Sequence, residues 1–131
     1  MTKEESRIQT HIKFSVQTID LKNDRLSAHT WHPSTDLYET DEAFIAMIEI
    51  AGVNPENINI SIDRGIVMVT GQRKLNSSQG SCHQIEIPCG EFSSIVRIPQ
   101  SIDTERVEAF YEKGLLHIIL PKSKQVKIDI S

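Results

Sequence analysis

The chain has 131 residues, of which 14 are Lys or Arg and 18 are Asp or Glu, so its formal net charge is -4 at pH 7. This length predicts one domain, with a core that needs neither disulfide nor metal. The acidic balance argues against a nucleic-acid binder, because such proteins carry a basic stripe. The first residues lack the apolar region of a signal peptide, and no run approaches the ~18 apolar residues of a membrane span. We therefore expect a cytoplasmic protein without a membrane span.

Residues 1–30 are polar with a few apolar side chains, and two periodicities compete there. Four apolar positions fit one helix face: Ile8, Ile12, Val16 and Ile19. Ile12, Phe14 and Val16 also alternate as in a strand, so periodicity leaves the choice open. We interpret this segment as a mobile arm. It ends at Trp31-His32-Pro33, because a residue before proline is disfavoured in helical geometry.

From residue 34 onward, short apolar segments alternate with turns. The clearest signal is the alternation of Ile58, Ile60 and Ile62 with polar residues, which is typical of a half-buried strand. Asp63-Arg64-Gly65 and Lys113-Gly114 are predicted turns between paired strands. The predicted strands are 43–50, 57–63, 66–70, 92–98, 106–111 and 115–120. Seven or eight short strands without a long helix predict an all-β, immunoglobulin-like antiparallel sandwich.

A polar loop follows Gly71, with one short strand predicted at 82–87. A loop of this length inside a compact β domain is usually functional. It contains Cys82 and His83, and Cys89 follows it. Structural zinc requires four ligands, and the sequence has no second close pair, so we expect ordinary loop residues here. The alternative to an ordinary loop residue is a cysteine that is exposed and undergoes reversible oxidation.

The final residues alternate apolar and polar side chains. Val126, Ile128 and Ile130 are separated by Lys127 and Asp129. A chain end is normally polar and disordered. An alternating apolar end is useful if it lies as a strand along a groove and inserts every second side chain. This pattern predicts a protein that docks onto copies of itself.

The sequence offers no arrangement for catalysis. No histidine belongs to a nucleophile-and-acid set, and no glycine-rich phosphate loop indicates ATP use. We therefore expect no enzyme activity, no cofactor and no metal site.

Over roughly residues 31–130 the chain resembles the small heat-shock protein, or α-crystallin, family. Four segments in the right order carry the resemblance, together with the Ile-x-Ile tail. They are Trp31-His32-Pro33 with Asp36-Leu37-Tyr38-Glu39, Ile50-Ala51-Gly52-Val53 with Glu56-Asn57-Ile58, Ile98-Pro99 with Ile102-Asp103, and Ala109-x-x-x-x-Gly114-x-Leu116 with Leu120-Pro121-Lys122. The chain departs from the family at Ala51, often Pro, at Lys113, often Asn, and at Ser94, often Arg. The loop before Ser94 also lacks the usual Glu-Arg run.

The resemblance implies an arm (residues 1–30), an α-crystallin sandwich domain (31–122) and a tail (123–131). It implies that the isoleucines of the tail dock in a groove between 57–63 and 106–111. The tail residues are Ile128 and Ile130, with Val126 offering an alternative register. We name the accepting residues the tail groove: Ile58, Ile60, Ile62, Val107 and Ala109.

The resemblance also implies dimerisation through the loop at 72–87, which would pair with the first domain strand of a partner. The dimer contact would comprise Thr35, Leu37, Tyr38, Cys82, His83, Gln84 and Ile85. Unfolded clients would bind the apolar arm residues Ile8, Ile12, Phe14, Val16 and Ile19. The implied function is an ATP-independent holdase that forms homodimers and larger homo-oligomers. The alternative is a CS-domain-like co-chaperone or adaptor that binds one folded partner.

Overall fold

The computed structural model describes residues 8–21, 30–74 and 80–124. Within these ranges the chain forms eight β-strands and two short 3-10 helices, Pro55–Asn57 and Thr104–Arg106. Neither helix has the length and apolar character that crossing a membrane would require. The strands are β1 (Lys13–Val16), β2 (Thr35–Glu39), β3 (Ala43–Glu49), β4 (Ile58–Asp63), β5 (Ile66–Arg73), β6 (Gly90–Arg97), β7 (Glu108–Glu112) and β8 (Leu115–Pro121).

Two four-stranded sheets form the sandwich. The strand order is β1-β4-β5-β6 in one sheet and β2-β3-β8-β7 in the other. Neighbouring strands are antiparallel except for β1, which runs parallel to β4. The predicted antiparallel sandwich is confirmed. The parallel strand, β1, lies in the arm, where the sequence pattern fitted both a helix and a strand.

Two tight hairpins connect strands as predicted. Arg64 and Gly65 join β4 to β5 with φ angles of 43° and 80°, and Lys113 and Gly114 join β7 to β8 with φ angles of 53° and 80°. Positive φ at both central residues is the pattern of a type I′ turn, whose twist matches the twist of the flanking strands. These turns fix the register of the strands that line the tail groove.

The core lies between the inner faces of the two sheets. Ile58, Ile60 and Ile62 point into it from β4, and each is at most 1% exposed. Successive side chains of a strand face opposite sides, so the polar residues between them face outward. The other sheet contributes Phe44, Ala46, Ile48, Ala109, Leu116, Ile118 and Leu120.

Strand β5 extends beyond Gly71, where the sequence predicted its end. A Cβ atom at Gly71 would lie 2.2 Å from the Asn57 carbonyl oxygen and 2.6 Å from Cζ of Phe92. Glycine is required here because backbone and ring approach so closely. The strand continues to Arg73 because Gln72 and Arg73 pair with Glu91 and Gly90 of β6.

Residues 82–87 form no strand within the described chain, so the short strand predicted there is wrong for a single subunit. A strand needs a partner for its backbone hydrogen bonds, and none of the described strands pairs with this segment. We call residues 74–89 the β5–β6 loop, and in its described part, residues 80–89, both isoleucines are exposed.

Candidate functional site

The structure brings the five residues of the tail groove into one hydrophobic cluster. Ile58, Ile60 and Ile62 lie on β4, and Ala109 lies on β7, the terminal strand of the opposite sheet, with Val107 just before it. All five are at most 4% exposed. They belong to the core between the two sheets, and the arm runs along the same edge, where it pairs with both β4 and Ala109.

The arm first contacts β7. Ile8 forms a parallel β-bridge with Ala109, and the Gln9 N–H donates to the Ala109 carbonyl at 2.9 Å. The side-chain oxygen Oε1 of Gln9 accepts a hydrogen bond from the Tyr111 N–H at 2.6 Å. These contacts attach the start of the described arm to the edge of one sheet.

The arm then turns and crosses to the other sheet. The Ile12 N–H donates to the Gln9 carbonyl at 3.1 Å, and His11 has a φ of 82°. A positive φ at the third residue of a four-residue turn is the pattern of a type II turn. Thr10 and His11 are exposed at its tip, whereas Ile12 is only 7% exposed and belongs to the core cluster.

After the turn, β1 pairs with β4 from Lys13↔Asn59 to Val16↔Ile62. The Gln17 N–H extends the ladder to the Ile62 carbonyl at 3.1 Å. Phe14 is partly buried against the core, and Val16 is 58% exposed. The arm thus adds a strand to the edge of β4 that β5 does not use.

A side-chain carboxylate holds the end of this strand. The Ile19 N–H donates to Oδ2 of Asp63 at 2.9 Å, and Ile19 itself is buried. This backbone hydrogen bond, together with the neighbouring Arg64, lowers the pKa of Asp63 below its usual value of 3.8. The carboxylate is therefore charged at neutral pH, when it is the better acceptor.

Of the predicted client-binding residues, four contact or lie buried on the sandwich. Ile12 and Ile19 are buried, and Ile8 and Phe14 pack against the core cluster. Val16 remains exposed. In this arrangement Val16 alone of these five side chains is largely exposed to solvent.

The predicted dimer contact has two halves that do not pair within one chain. Strand β2 is the terminal strand of its sheet, opposite β7. Leu37 and Tyr38 on β2 are exposed, and so are Cys82, His83, Gln84 and Ile85 in the β5–β6 loop. In that loop Ile85 is 63% exposed and Ile87 is 73% exposed. An open strand edge and an exposed apolar loop are both features that a second chain can cover.

Thr35 has a different role from the rest of β2. Its hydroxyl lies 2.7 Å from the hydroxyl of Ser94, which is buried on β6. Ser94 stands where the family often has an arginine, and here it links the two sheets by a neutral hydrogen bond. The side chain at this position thus contributes no charge to the surface around β2.

Sequence reasoning missed the residues that hold the base of the β5–β6 loop. The guanidinium of Arg73 donates to the Pro88 carbonyl through Nε at 2.9 Å and also through Nη2, and to the Ala51 carbonyl through Nη1 at 3.2 Å. It also lies over the Trp31 ring, 4.3 Å from the centroid. The indole N–H of Trp31 donates to the Gly90 carbonyl at 3.2 Å. The sequence shows only an arginine at the start of the loop and a lone tryptophan at the end of the arm.

Within the described residues no group of three His, Cys, Asp or Glu side chains could hold a metal ion. Cys82 is a free, exposed thiol, and Cys89 is free and half-buried. The predicted tail residues Val126, Ile128 and Ile130 lie outside the described part of the chain.

The sequence model of the Hsp20/alpha crystallin family matches residues 36–131. The chain is 34% identical over 97 residues to small heat shock protein C2 of Rickettsia felis, covering 72% of this chain and 63% of that protein. It is 34% identical over 94 residues to heat shock protein 16 of Schizosaccharomyces pombe, covering 69% of this chain and 66% of that protein. The chain belongs to the Hsp20/alpha crystallin family, and its matched part spans about two thirds of each of these relatives.

Solved structures agree with this assignment. Heat shock protein 16.0 from S. pombe superposes with a TM-score of 0.66 at 31% identity, covering 76% of this chain and 96% of that one. A small heat-shock protein from Xylella fastidiosa, which has a distinct high-order structure, gives a TM-score of 0.64 at 28% identity, covering 78% of this chain and 98% of that one. The sandwich is therefore an α-crystallin domain, as the sequence predicted.

Proposed function

We propose that the chain is an ATP-independent holdase chaperone of the cytoplasm that binds partly unfolded proteins and keeps them from aggregating. The observation that carries this proposal is the docked arm. The open side of the sandwich holds an extended apolar segment by backbone hydrogen bonds and by buried isoleucines. Unfolded clients also expose apolar side chains, and the apolar arm that packs on the sandwich can pack on such surfaces without requiring one particular folded partner.

Holdase action needs no covalent chemistry. A protein that binds the aggregation-prone state lowers the free concentration of that state by mass action. The apolar arm residues 8–19 are the proposed client-binding segment, and Val16 remains exposed even in the docked arm. No cofactor, metal or nucleic acid takes part in this proposal.

The proposed building block is a homodimer. The β5–β6 loop of one subunit pairs with β2 of the other, so that residues 82–87 gain the strand partner that a single chain does not provide. The exposure of Ile85 and Ile87 and the open edge of β2 support this arrangement. Arg73 and Trp31 set the direction in which the loop leaves the sandwich.

Larger assemblies form when the tail (123–131) of one dimer docks in the tail groove of another. Burying two isoleucine side chains contributes about 3–6 kcal/mol before the entropy of ordering the tail is subtracted. The remaining free energy is small, so the contact is reversible and subunits exchange. In this proposal the sandwich (31–122) is the scaffold, and the arm (1–30) and the tail are the segments that bind clients and other subunits.

A test compares the chain with a heat-unfolding client in the absence of ATP, by size-exclusion chromatography with light scattering. We expect homo-oligomers before heating and a soluble complex containing both proteins after heating, with little binding of the native client. An adaptor of the CS-domain type would instead remain small and leave the unfolded client unbound. That second outcome contradicts the holdase proposal.

A further inference from the structure

We propose that the outer face of the sheet β2-β3-β8-β7 binds an amphipathic helix of another protein, one whose apolar stripe is flanked by arginines. We call this surface the β8 face. Its members are Ile45, Met47, Phe110, Leu115, His117 and Ile119. The surface is distinct from the arm, the tail groove and the dimer contact. Its use in selecting clients rests on the proposed holdase function, whereas the binding of the helix does not.

Strands β3 and β8 are apolar on both of their sides. An antiparallel sheet with one solvated face has strands that alternate apolar and polar residues, as β4 does. In contrast, β3 reads AFIAMIE and β8 reads LLHIILP. Near-continuous apolar runs of this kind are typical of strands that are covered on both faces. The sequence of these two strands therefore indicates that the outer side of their sheet is a binding surface.

The strand register gathers the apolar side chains of the β8 face into one patch. Ile45 pairs with Ile119, and His117 pairs with Met47 on one side and with Phe110 on the other. Directly opposite residues on neighbouring strands point to the same side of a sheet and contact each other. The rings of Phe110 and His117 stack, with centroids 4.5 Å apart and planes 9° apart. Phe110 is 37% exposed, and the other members of the face are half-buried.

Acidic side chains surround this apolar patch. Glu108 and Glu112 lie two residues before and after Phe110 on β7, so all three side chains point to the same side. Asp36 on β2 and Glu49 at the end of β3 face the same way. A second copy of this face would bring like charges together, which disfavours self-association. The acidic rim instead complements a partner that carries positive charge beside its apolar surface.

The neighbouring basic residues of the described chain do not neutralise this rim. Arg106 forms an ion pair with Asp103 at 3.9 Å, and Lys122 forms one with Glu39 at 2.7 Å. Lys113 lies in the turn between β7 and β8 and forms no ion pair with any described residue. The carboxylates of the rim are therefore available to the cations of a partner.

The backbone of the sheet favours a helix over an extended segment as the occupant. Strand β8 pairs with β3 on one side and with β7 on the other, so the centre of the face offers no free backbone groups. An extended segment buried there would lose the hydrogen bonds of its own backbone, whereas a helix satisfies them internally. The distance from β7 to β3 is about 10 Å, or two strand spacings, and a helix is about 10–12 Å wide. The apolar stripe of a helix thus covers the patch, and the side chains beside the stripe reach the rim.

The surroundings of Phe110 favour arginine as the cation. A guanidinium is planar, stacks on aromatic rings and binds carboxylates in bidentate geometry. Phe110 presents an exposed ring between Glu108 and Glu112, so one strand offers both kinds of contact. The ammonium group of lysine would gain the charge attraction but not the planar stacking.

The test titrates the full chain into a fluorescent helical peptide, with leucines along one stripe and arginines beside it, and follows anisotropy. We expect Glu108→Gln with Glu112→Gln to weaken binding at least about fivefold, because two charge contacts with the arginines are lost. Glu56→Gln with Glu91→Gln is the matched control, since both residues are exposed outside this face and the net charge changes equally. The control should bind like the wild type. A peptide of the same composition in scrambled order, which forms no apolar stripe, should bind more weakly.

Methyl NMR of methionine supplies a second readout that needs no variant. Met47 lies on the β8 face, whereas Met68 lies on the outer side of the other sheet. The peptide should shift the methyl signal of Met47 and leave that of Met68 in place.

Three results would overturn the proposal. They are equal binding of the peptide by the wild type and both variants, a shift of Met68 instead of Met47, and a Met47 signal that changes with chain concentration in the absence of peptide. The last result would show that a second copy of the chain covers the face. No unfolded client is used, so the holdase proposal is decided by its own measurement and not by this one.

Discussion

At the scale of single residues, Arg73 joins three segments that are far apart in the sequence. Its guanidinium donates to carbonyls of Pro88 and Ala51 and lies over the ring of Trp31. The planar fork of arginine can make these contacts at once, whereas the ammonium group of lysine presents a single point charge. Arg73 is therefore a positioning residue for the base of the β5–β6 loop.

We expect Arg73→Lys to lower the free energy of unfolding by about 1–2 kcal/mol, because charge-assisted hydrogen bonds and the ring contact are lost. Urea denaturation monitored by Trp31 fluorescence measures this change. Arg97→Lys is the matched control, since Arg97 is exposed at the end of β6. Equal stability of the two variants would show that Arg73 does not hold the loop base.

Neither Arg73 nor its partners could be identified from the sequence, and the reason is physical. The contacts run to backbone carbonyls, which every residue carries, so no side-chain pattern marks them. By contrast, the burial of Ile58, Ile60 and Ile62 was predictable, because alternation in a strand decides which side chains face the core. The periodicity of apolar residues predicts which side chains are buried, but it does not predict hydrogen bonds to backbone groups far away in the sequence.

At the scale of elements, the exposed loop and the open edge of β2 make a matched pair of surfaces. Ile85 and Ile87 alternate, so in an extended segment both would face the same side. In a single chain both side chains are exposed. Their removal should therefore affect association between subunits far more than the stability of one subunit.

We expect the double variant Ile85→Ser with Ile87→Ser to raise the dimer dissociation constant at least about tenfold, since two apolar side chains lose their burial. Sedimentation velocity over a concentration series measures the constant. Glu86→Gln changes the intervening residue, which would face the other side of an extended segment, and should leave the dissociation constant unchanged. An unaltered dimer in the double variant would exclude the loop from the contact.

The sequence predicted six strands of the sandwich to within a few residues. It did not predict the secondary structure of the arm or of the loop at 82–87 correctly from local pattern. The apolar residues of the arm fit both a helix and a strand, and the choice depends on the distant edge of β4. The sequence at 82–87 predicted a strand, but none of the described strands pairs with this segment. Both cases show that local pattern is insufficient where a pairing edge lies elsewhere in the chain or in another subunit.

At the scale of the whole molecule, the proposed binding segments lie at strand edges of the sandwich. The arm lies along the side between β4 and β7, whereas no described segment covers the outer edge of β2 or residues 80–89 of the β5–β6 loop. Open strand edges usually carry a risk of uncontrolled association. In a holdase such edges are useful, because reversible association with copies of the chain keeps apolar surface available to clients.

If this chain suppresses aggregation by binding unfolded protein, it should lower the light scattering of a heat-unfolding client. The measurement is made without ATP, over a range of chain-to-client ratios, with an inert protein of equal mass concentration as the control. We expect suppression near one subunit per client molecule and none by the inert protein. Scattering that is unchanged at severalfold excess of the chain would contradict the holdase proposal.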